Sequence, residues 1–389
     1  MSQILLYAFC FFPFVKFLPL GLNLDTQPWA LVWSCIFIVK KIINEKKLIL
    51  PKKFLYLIAF ALGNVLIVIV FDPWLPKDNL SMSTNITYTS IRNLLSVASM
   101  LIITYAVYSD CIINGFKEKY IKVIINIWLI VGLVQKYITR EFLYFIVANA
   151  RTSSNRGVVA LASEPSFYGY MCVFMLLFVY DFKKDKLFYI INLIVQIVLL
   201  AESTNTLLFL ACVVFFLVIK AISLANRKTV MKYIGIGVTG VIVCSIVFKQ
   251  VILKMQGQRM VNFLNIILSK TNLSNKINVF LNDGSVAKRL WNITEPLGAF
   301  VRDYGLPHGI ETVRDISGFA GYIYQYGVGG VIVIILIIIL IRKGYSSKEI
   351  GKSFAYSFTA IMFIGIQMTS PIVWFFVGYC MARKNLKKI

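Results

Sequence analysis

Histidine occurs once in this sequence, acidic residues number only 17, and the seven cysteines show neither paired nor metal-ligand spacing. Each shortage excludes something. A single histidine, His308, cannot build a histidine-rich metal centre. Cys10, Cys35, Cys111, Cys172, Cys212, Cys244 and Cys380 lie in or beside apolar runs and outside the two long polar connections, so no disulfide framework is expected. Their plain role is small apolar packing. Alternating segments of about ten residues do not recur, which argues against an outer-membrane barrel. There is no Walker loop and no Asp-x-Asp pair for a metal-bound nucleotide sugar. Energy for any reaction must therefore arrive in an already activated substrate. Gly235-Ile236-Gly237-Val238-Thr239-Gly240 matches the dinucleotide pattern but sits inside an apolar run with no strand before it. The glycosylation triplets at Asn79, Asn85, Asn272 and Asn292 matter only in a cell that glycosylates. No internal repeat marks two related halves, and Met1-Ser2-Gln3 lacks the basic region of a cleaved signal peptide.

What is abundant is apolar length. Hydrophobic residues make up 59% of the 389 and the mean hydropathy is +0.78, values foreign to a soluble domain. The expected fold is all-α, a polytopic integral membrane protein of about 12 transmembrane helices. Candidate spans cover residues 4–20, 28–39, 54–71, 91–108, 120–138, 165–180, 187–200, 206–222, 233–248, 321–341, 353–368 and 371–381. The 353–381 stretch is read as a hairpin, because Pro371 interrupts it and a basic terminus follows. The whole of 1–389 is read as a single transmembrane domain.

Charge orients the spans. With the amino terminus inside, alternate connections carry the lysine-rich groups from Lys40 to Lys53, Lys117 to Lys122 and Lys183 to Lys186. The groups from Lys220 to Lys232, Arg342 to Lys352 and Arg383 to Lys388 continue the series. The opposite short loops carry little charge, as the positive-inside rule requires. Both termini are then cytoplasmic, and the net charge of +23 reports topology rather than nucleic-acid binding. Two connections on the outer side, 139–163 and 249–320, are too long to be mere connectors. Within the second, Val286, Leu290, Ile293 and Leu297 recur at helical spacing after the capping candidates Asn282 and Asp283. A large outer loop with short surface helices between spans nine and ten is expected.

Chemistry-bearing residues concentrate there. Arg151, Arg156, Arg259, Arg289, Arg302 and Arg314 fall on the outer side, against the usual bias, together with His308. Guanidinium groups at a bilayer surface suit a diphosphate, through permanent charge and bidentate hydrogen bonding. Each could instead pair with Asp283, Glu295, Asp303, Glu311 or Asp315, or meet lipid headgroups. Glu164, opening an apolar helix between Ser163 and Pro165, could serve as a base or simply favour the positive helix end. His308, between Pro307 and Gly309, could serve as a base or shape a turn. Lys16 and Arg92, inside apolar runs, are expected to snorkel toward headgroups.

An arginine upstream of Glu164-Pro165-Ser166 and a polar turn Glu202-Ser203-Thr204-Asn205-Thr206 resemble the Wzy-type O-antigen polymerases. So do Lys288-Arg289-Leu290-Trp291 in a large outer loop, Gly305-Leu306-Pro307-His308-Gly309, and Tyr326-Gly327-Val328-Gly329-Gly330 entering a span. The resemblance covers most of the chain as a topology. It implies a glycosyltransferase at the periplasmic face of the bacterial inner membrane. Such an enzyme moves a growing glycan from undecaprenyl pyrophosphate to a sugar hydroxyl of an incoming lipid-linked repeat. Implied site residues are Glu164, His308 and Arg289 for catalysis, and Arg151, Arg156, Arg259 and Arg289 for the pyrophosphate. Trp291 is the candidate sugar contact. No metal or cofactor is implied, and the partners are lipid-linked oligosaccharide and polysaccharide, membrane lipids and a chain-length regulator protein. An O-antigen ligase of the same superfamily and a lipid-linked oligosaccharide flippase or other transporter are the alternatives.

Overall fold

The computed structural model describes residues 2–17, 25–45, 50–76, 86–151, 157–181, 186–200, 284–311, 318–345, 348–364 and 366–386. Among these, the regular elements are helical, with one isolated antiparallel bridge between Val15 and Val147. The α-helices are α1 (Ser2–Phe11), α2 (Trp29–Glu45), α3 (Lys52–Phe71), α4 (Ile86–Asn114), α5 (Glu118–Tyr137), α6 (Pro165–Asp181) and α7 (Lys186–Leu200). After them come α8 (Gly284–Arg302), α9 (Gly318–Gly344), α10 (Lys348–Ile364) and α11 (Pro371–Leu386). Among the described residues, four helical segments are long and apolar enough to cross a membrane: Lys52–Trp74, Thr87–Asn114, Glu118–Tyr137 and Gly318–Gly344. Helices α6, α7 and α11 contain shorter apolar segments. The expected spans at 206–222 and 233–248, the 249–283 part of the outer loop, and Arg156, Arg259 and Arg314 lie outside the described residues.

Local chemistry explains where helix ends depart from the apolar runs. The first run was expected to stay helical to residue 20, but α1 stops at Phe11. Pro13 supplies no amide hydrogen and disfavours helical geometry at the residue before it, so the chain continues extended. Helix α2 runs past its expected end, through Lys40 and Lys41 to Glu45. Lys41 is buried along its stem, with its ammonium 3.9 Å from Glu45 and 5.8 Å from the Tyr105 ring centre. Helices α10 and α11 form separate rods joined by a turn near 366–370, and Pro371 opens α11 where a missing N–H costs nothing.

The chain divides into two compact units. The first comprises Met1–Leu6, Trp29–Phe116 and Gly284–Ile389. At its centre α4 packs on α11. Gly378 permits that approach, because a Cβ there would lie 2.5 Å from the Thr104 carbonyl oxygen. Helix α9 packs on α3, α10 and α11 and carries α8. In α3 only 33% of the apolar window is buried, against 78% in α4, so α3 turns Leu62, Leu66, Ile67 and Val70 outward. An outward stripe of this kind suits hydrocarbon and would be a liability in water.

The second unit comprises Tyr7–Pro28 and Lys117–Asp283. Trp128 of α5 is wholly buried there, donating from Nε1 to the Phe11 carbonyl at 3.1 Å and stacking on Tyr168 at 5.8 Å. The connection 139–163 is tied down by backbone bonds from Lys16 to Ile146 and from Ala148 to Phe14, each 2.8 Å. Lys16 was expected inside a span; it lies instead in the extended segment after α1.

Candidate functional site

In the second unit, Gln135 organises the approach to Glu164. This residue is 4% exposed in α5, and its Nε2 donates to the carbonyls of Phe142 and Ala160 at 2.8 Å each. Its Oε1 accepts from the Ala160 amide at 2.7 Å. One buried carboxamide thus satisfies three backbone groups of a loop that would otherwise be stranded. Beyond it, the Arg151 amide donates to the Ser163 carbonyl at 2.7 Å, bringing the Arg151 side chain to the start of α6.

Three charged groups meet there. The Arg151 guanidinium lies 3.2 Å from Glu164 Oε1 and 2.8 and 3.0 Å from the two oxygens of Asp25. Asn149 donates to Asp25 at 3.2 Å, and the Ser166 hydroxyl donates to Glu164 Oε2 at 3.1 Å. The Glu164 carbonyl accepts the first helical bond of α6, from Tyr168 at 3.1 Å, which makes Glu164 the N-cap residue. Its carboxylate therefore lies at the positive end of the helix as well as beside Arg151. Among the described residues, one cation lies between two carboxylates. Arg151 holds Glu164 in this arrangement. An ionised carboxylate offers about four lone-pair positions, and the two contacts at Glu164, which is 30% exposed, leave room for a further hydroxyl donor.

The first unit contains a different device, a broken helix. Gly327 in α9 has φ 56° and ψ −138°, outside helical geometry, so the α9 hydrogen-bond ladder is interrupted. The loop before α9 replaces the lost bonds. Val328 donates to the Gly305 carbonyl at 2.9 Å, His308 donates from its backbone to Tyr324 at 3.1 Å, and Gly309 to Gln325 at 3.3 Å. Breaks in membrane-spanning helices are tolerated where a neighbour satisfies the backbone in this way. The two glycine-rich motifs singled out in the sequence are therefore in direct contact. A Cβ at Gly327 would lie 2.2 Å from the Gly305 oxygen.

His308 closes this corner. Its ring stacks on Tyr324 with centroids 4.0 Å apart, Nδ1 lies 3.2 Å from the Tyr324 carbonyl, and Nε2 lies 2.9 Å from Asp303 Oδ2. The side chain is 0% exposed. Both ring nitrogens face acceptors inside the protein, so this arrangement pins the loop to α9 and offers no ring nitrogen to a substrate.

Arg289 and Trp291 sit on α8. Residues two apart on a helix diverge by about 200°, so the helix turns them to different faces. Trp291 is 41% exposed and Arg289 half-buried. Arg302, ending the same helix, lies 3.8 Å from Asp303. Gln135 and Asp25, which shape the Glu164 cluster, carried no sequence signal, since their partners Ala160 and Arg151 lie 25 and 126 positions away; Asp303 was a pairing candidate and meets Arg302 and His308. Comparison with protein-family models, curated proteins and solved structures returns no match to this chain.

Proposed function

We propose that the protein is a polymerase of lipid-linked surface polysaccharide, a glycosyltransferase acting at the outer face of the membrane without metal or cofactor. The observation that carries the reading is the 3.2 Å pair between Glu164 and Arg151, one of the two arginines, with Arg156, that the polymerase resemblance offers upstream of α6. In the proposed reaction the bond between the donor sugar C1 and the pyrophosphate oxygen breaks. A new bond forms from C1 to an acceptor hydroxyl oxygen, and undecaprenyl pyrophosphate departs with the electron pair. Glu164 takes the hydroxyl proton, held for that task by Arg151 and Ser166. The resemblance gives Arg289, Arg156 and Arg259 as the groups for negative charge developing on the leaving group, since guanidinium donors match a diphosphate. His308 is assigned a positioning role through Tyr324, and Trp291 a sugar contact. The partners are then the lipid-linked oligosaccharide and polysaccharide, surrounding lipids and a chain-length regulator.

Lipopolysaccharide from a deletion strain tests this reading. A polymerase defect leaves single repeat units on the core. Long polymer retained on undecaprenyl pyrophosphate would point to a ligase, and an undiminished ladder would refute the proposal.

A further inference from the structure

Asp25 belongs to none of the sequence motifs, yet the second unit brings it to Arg151 by a defined route. The extended segment after α1 is the seam. Its Pro13 carbonyl accepts from the Gln27 amide at 2.7 Å, and its Phe14 carbonyl accepts from the Ala148 amide at 2.8 Å. Gln27 is 2% exposed and Ala148 is fully buried, so neither anchor is a loose surface contact. Asp25, just before Gln27, and Asn149, just after Ala148, are thereby carried together. Asn149 holds φ 49°, a left-handed conformation that asparagine tolerates, and its Nδ2 donates to Asp25 Oδ1 at 3.2 Å.

An exposed ion pair on its own holds two long side chains together weakly, because water screens the charges and both side chains give up rotamer freedom. Arg151 and Glu164 alone would be such a pair, with side chains 56% and 30% exposed. Asp25 changes that. Both of its oxygens accept from Arg151 Nη2, at 2.8 and 3.0 Å, while Nη1 of the same guanidinium meets Glu164 Oε1. The Arg151 amide is meanwhile held by the Ser163 carbonyl at 2.7 Å. Fixed at its main chain and at one nitrogen, the rigid planar fork carries its second nitrogen to Glu164. Among the described residues, Asp25 bonds to Arg151 and Asn149, and the Glu164 carboxylate to Arg151 and Ser166, so the guanidinium links the two carboxylates.

We propose that Asp25 is a positioning residue for glycan transfer, gripping the Arg151 guanidinium so that it holds the Glu164 carboxylate in one orientation for the acceptor hydroxyl. This rests on the polymerase reading, with Glu164 as the base, and deepens it. Asp25 acts through Arg151 and takes no part in proton transfer. Its loss therefore slows the chemical step, where Glu164 must be aligned, and leaves binding of the lipid-linked repeat nearly unchanged. A carboxylate that merely tied the segment around Gln27 to the loop would be felt in stability instead.

The test uses the full chain purified in detergent, with lipid-linked repeat extracted from the deletion strain as substrate and chain growth followed over a range of repeat concentrations. Asp25→Asn should lower kcat roughly fivefold, with KM within about twofold of wild type. Its Tm should stay within about 2 °C, because the pair is exposed and asparagine can still accept from Arg151. Asp25→Glu, which keeps the carboxylate, should recover most of the rate. In an Arg151→Gln background, adding Asp25→Asn should cost nothing further, since its effect passes through that guanidinium. An unchanged kcat in Asp25→Asn, with Glu164→Ala inactive, overturns this proposal and leaves the polymerase reading standing. An equal loss in the Arg151→Gln background, or a loss that Asp25→Glu fails to restore, overturns it as well. Normal chain growth by Glu164→Ala, or none by wild type, refutes the polymerase reading itself and the proposal with it.

Discussion

Gly327→Ala should be among the most damaging single-methyl changes in the protein. The residue holds φ 56° and ψ −138°, a region that an L side chain adopts only with strain of about 1–3 kcal/mol. The added Cβ would also meet the Gly305 oxygen at 2.2 Å, and the Leu306 carbon and Pro307 nitrogen at 2.8 Å. All three are backbone atoms, so no side chain can rotate away. The loop must retreat, which endangers the bonds from Val328 to Gly305, His308 to Tyr324 and Gly309 to Gln325. Each contributes about 1 kcal/mol net, so the combined loss is about 4–6 kcal/mol. At about 2 °C per kcal/mol for a large chain, the Tm should fall by about 10 °C. Thermal unfolding of purified protein, followed by loss of the monodisperse peak, reads this directly. Gly298→Ala on α8 is the control, because a Cβ there meets nothing within 4 Å and alanine favours a helix by about 1 kcal/mol. A Gly327→Ala protein melting within 2 °C of wild type (about 1 kcal/mol) would show that the loop does not complete the broken helix.

Four further substitutions probe the second unit and α8. Gln135→Leu strands the Ala160 amide and the Phe142 and Ala160 carbonyls, for a loss of about 2–4 kcal/mol. Limited proteolysis should then cut 139–163 faster, and an unchanged digestion rate would count against the clamp. Glu164→Ala and Arg289→Ala should each abolish polymer while the protein stays in the membrane, as judged by ladder and immunoblot. Arg289→Lys separates charge from bidentate geometry: partial activity supports charge alone, and near-complete loss supports the fork. Normal ladders in both alanine variants would remove these residues from the mechanism.

Much of the helical framework was legible because hydrocarbon permits few backbone solutions. Apolar runs located α3, α5, α6, α7 and α9, and Pro371 marked the break between α10 and α11. The first span was misjudged because the hydropathy of 4–20 ignores Pro13, whose effect is on the backbone and not on transfer energy. Glu164 and Arg151 were legible as a pair of types at one helix entrance. Asp25, which shares that guanidinium at 2.8 Å, was not, since it lies 126 residues away. His308 read equally as a base or a turn former; only its contacts with Asp303 and Tyr324 distinguish the two.

The sequence by itself determined the class of solvent and the chemical types available, since transfer free energy and the lysine bias are properties of segments and need no partner. Tertiary structure decided which charges are paired and which helix is broken. Those outcomes depend on contacts between residues brought together by folding, 13 positions apart for Arg151 and Glu164 and 126 for Arg151 and Asp25, and burial raises the value of every hydrogen bond made or missed.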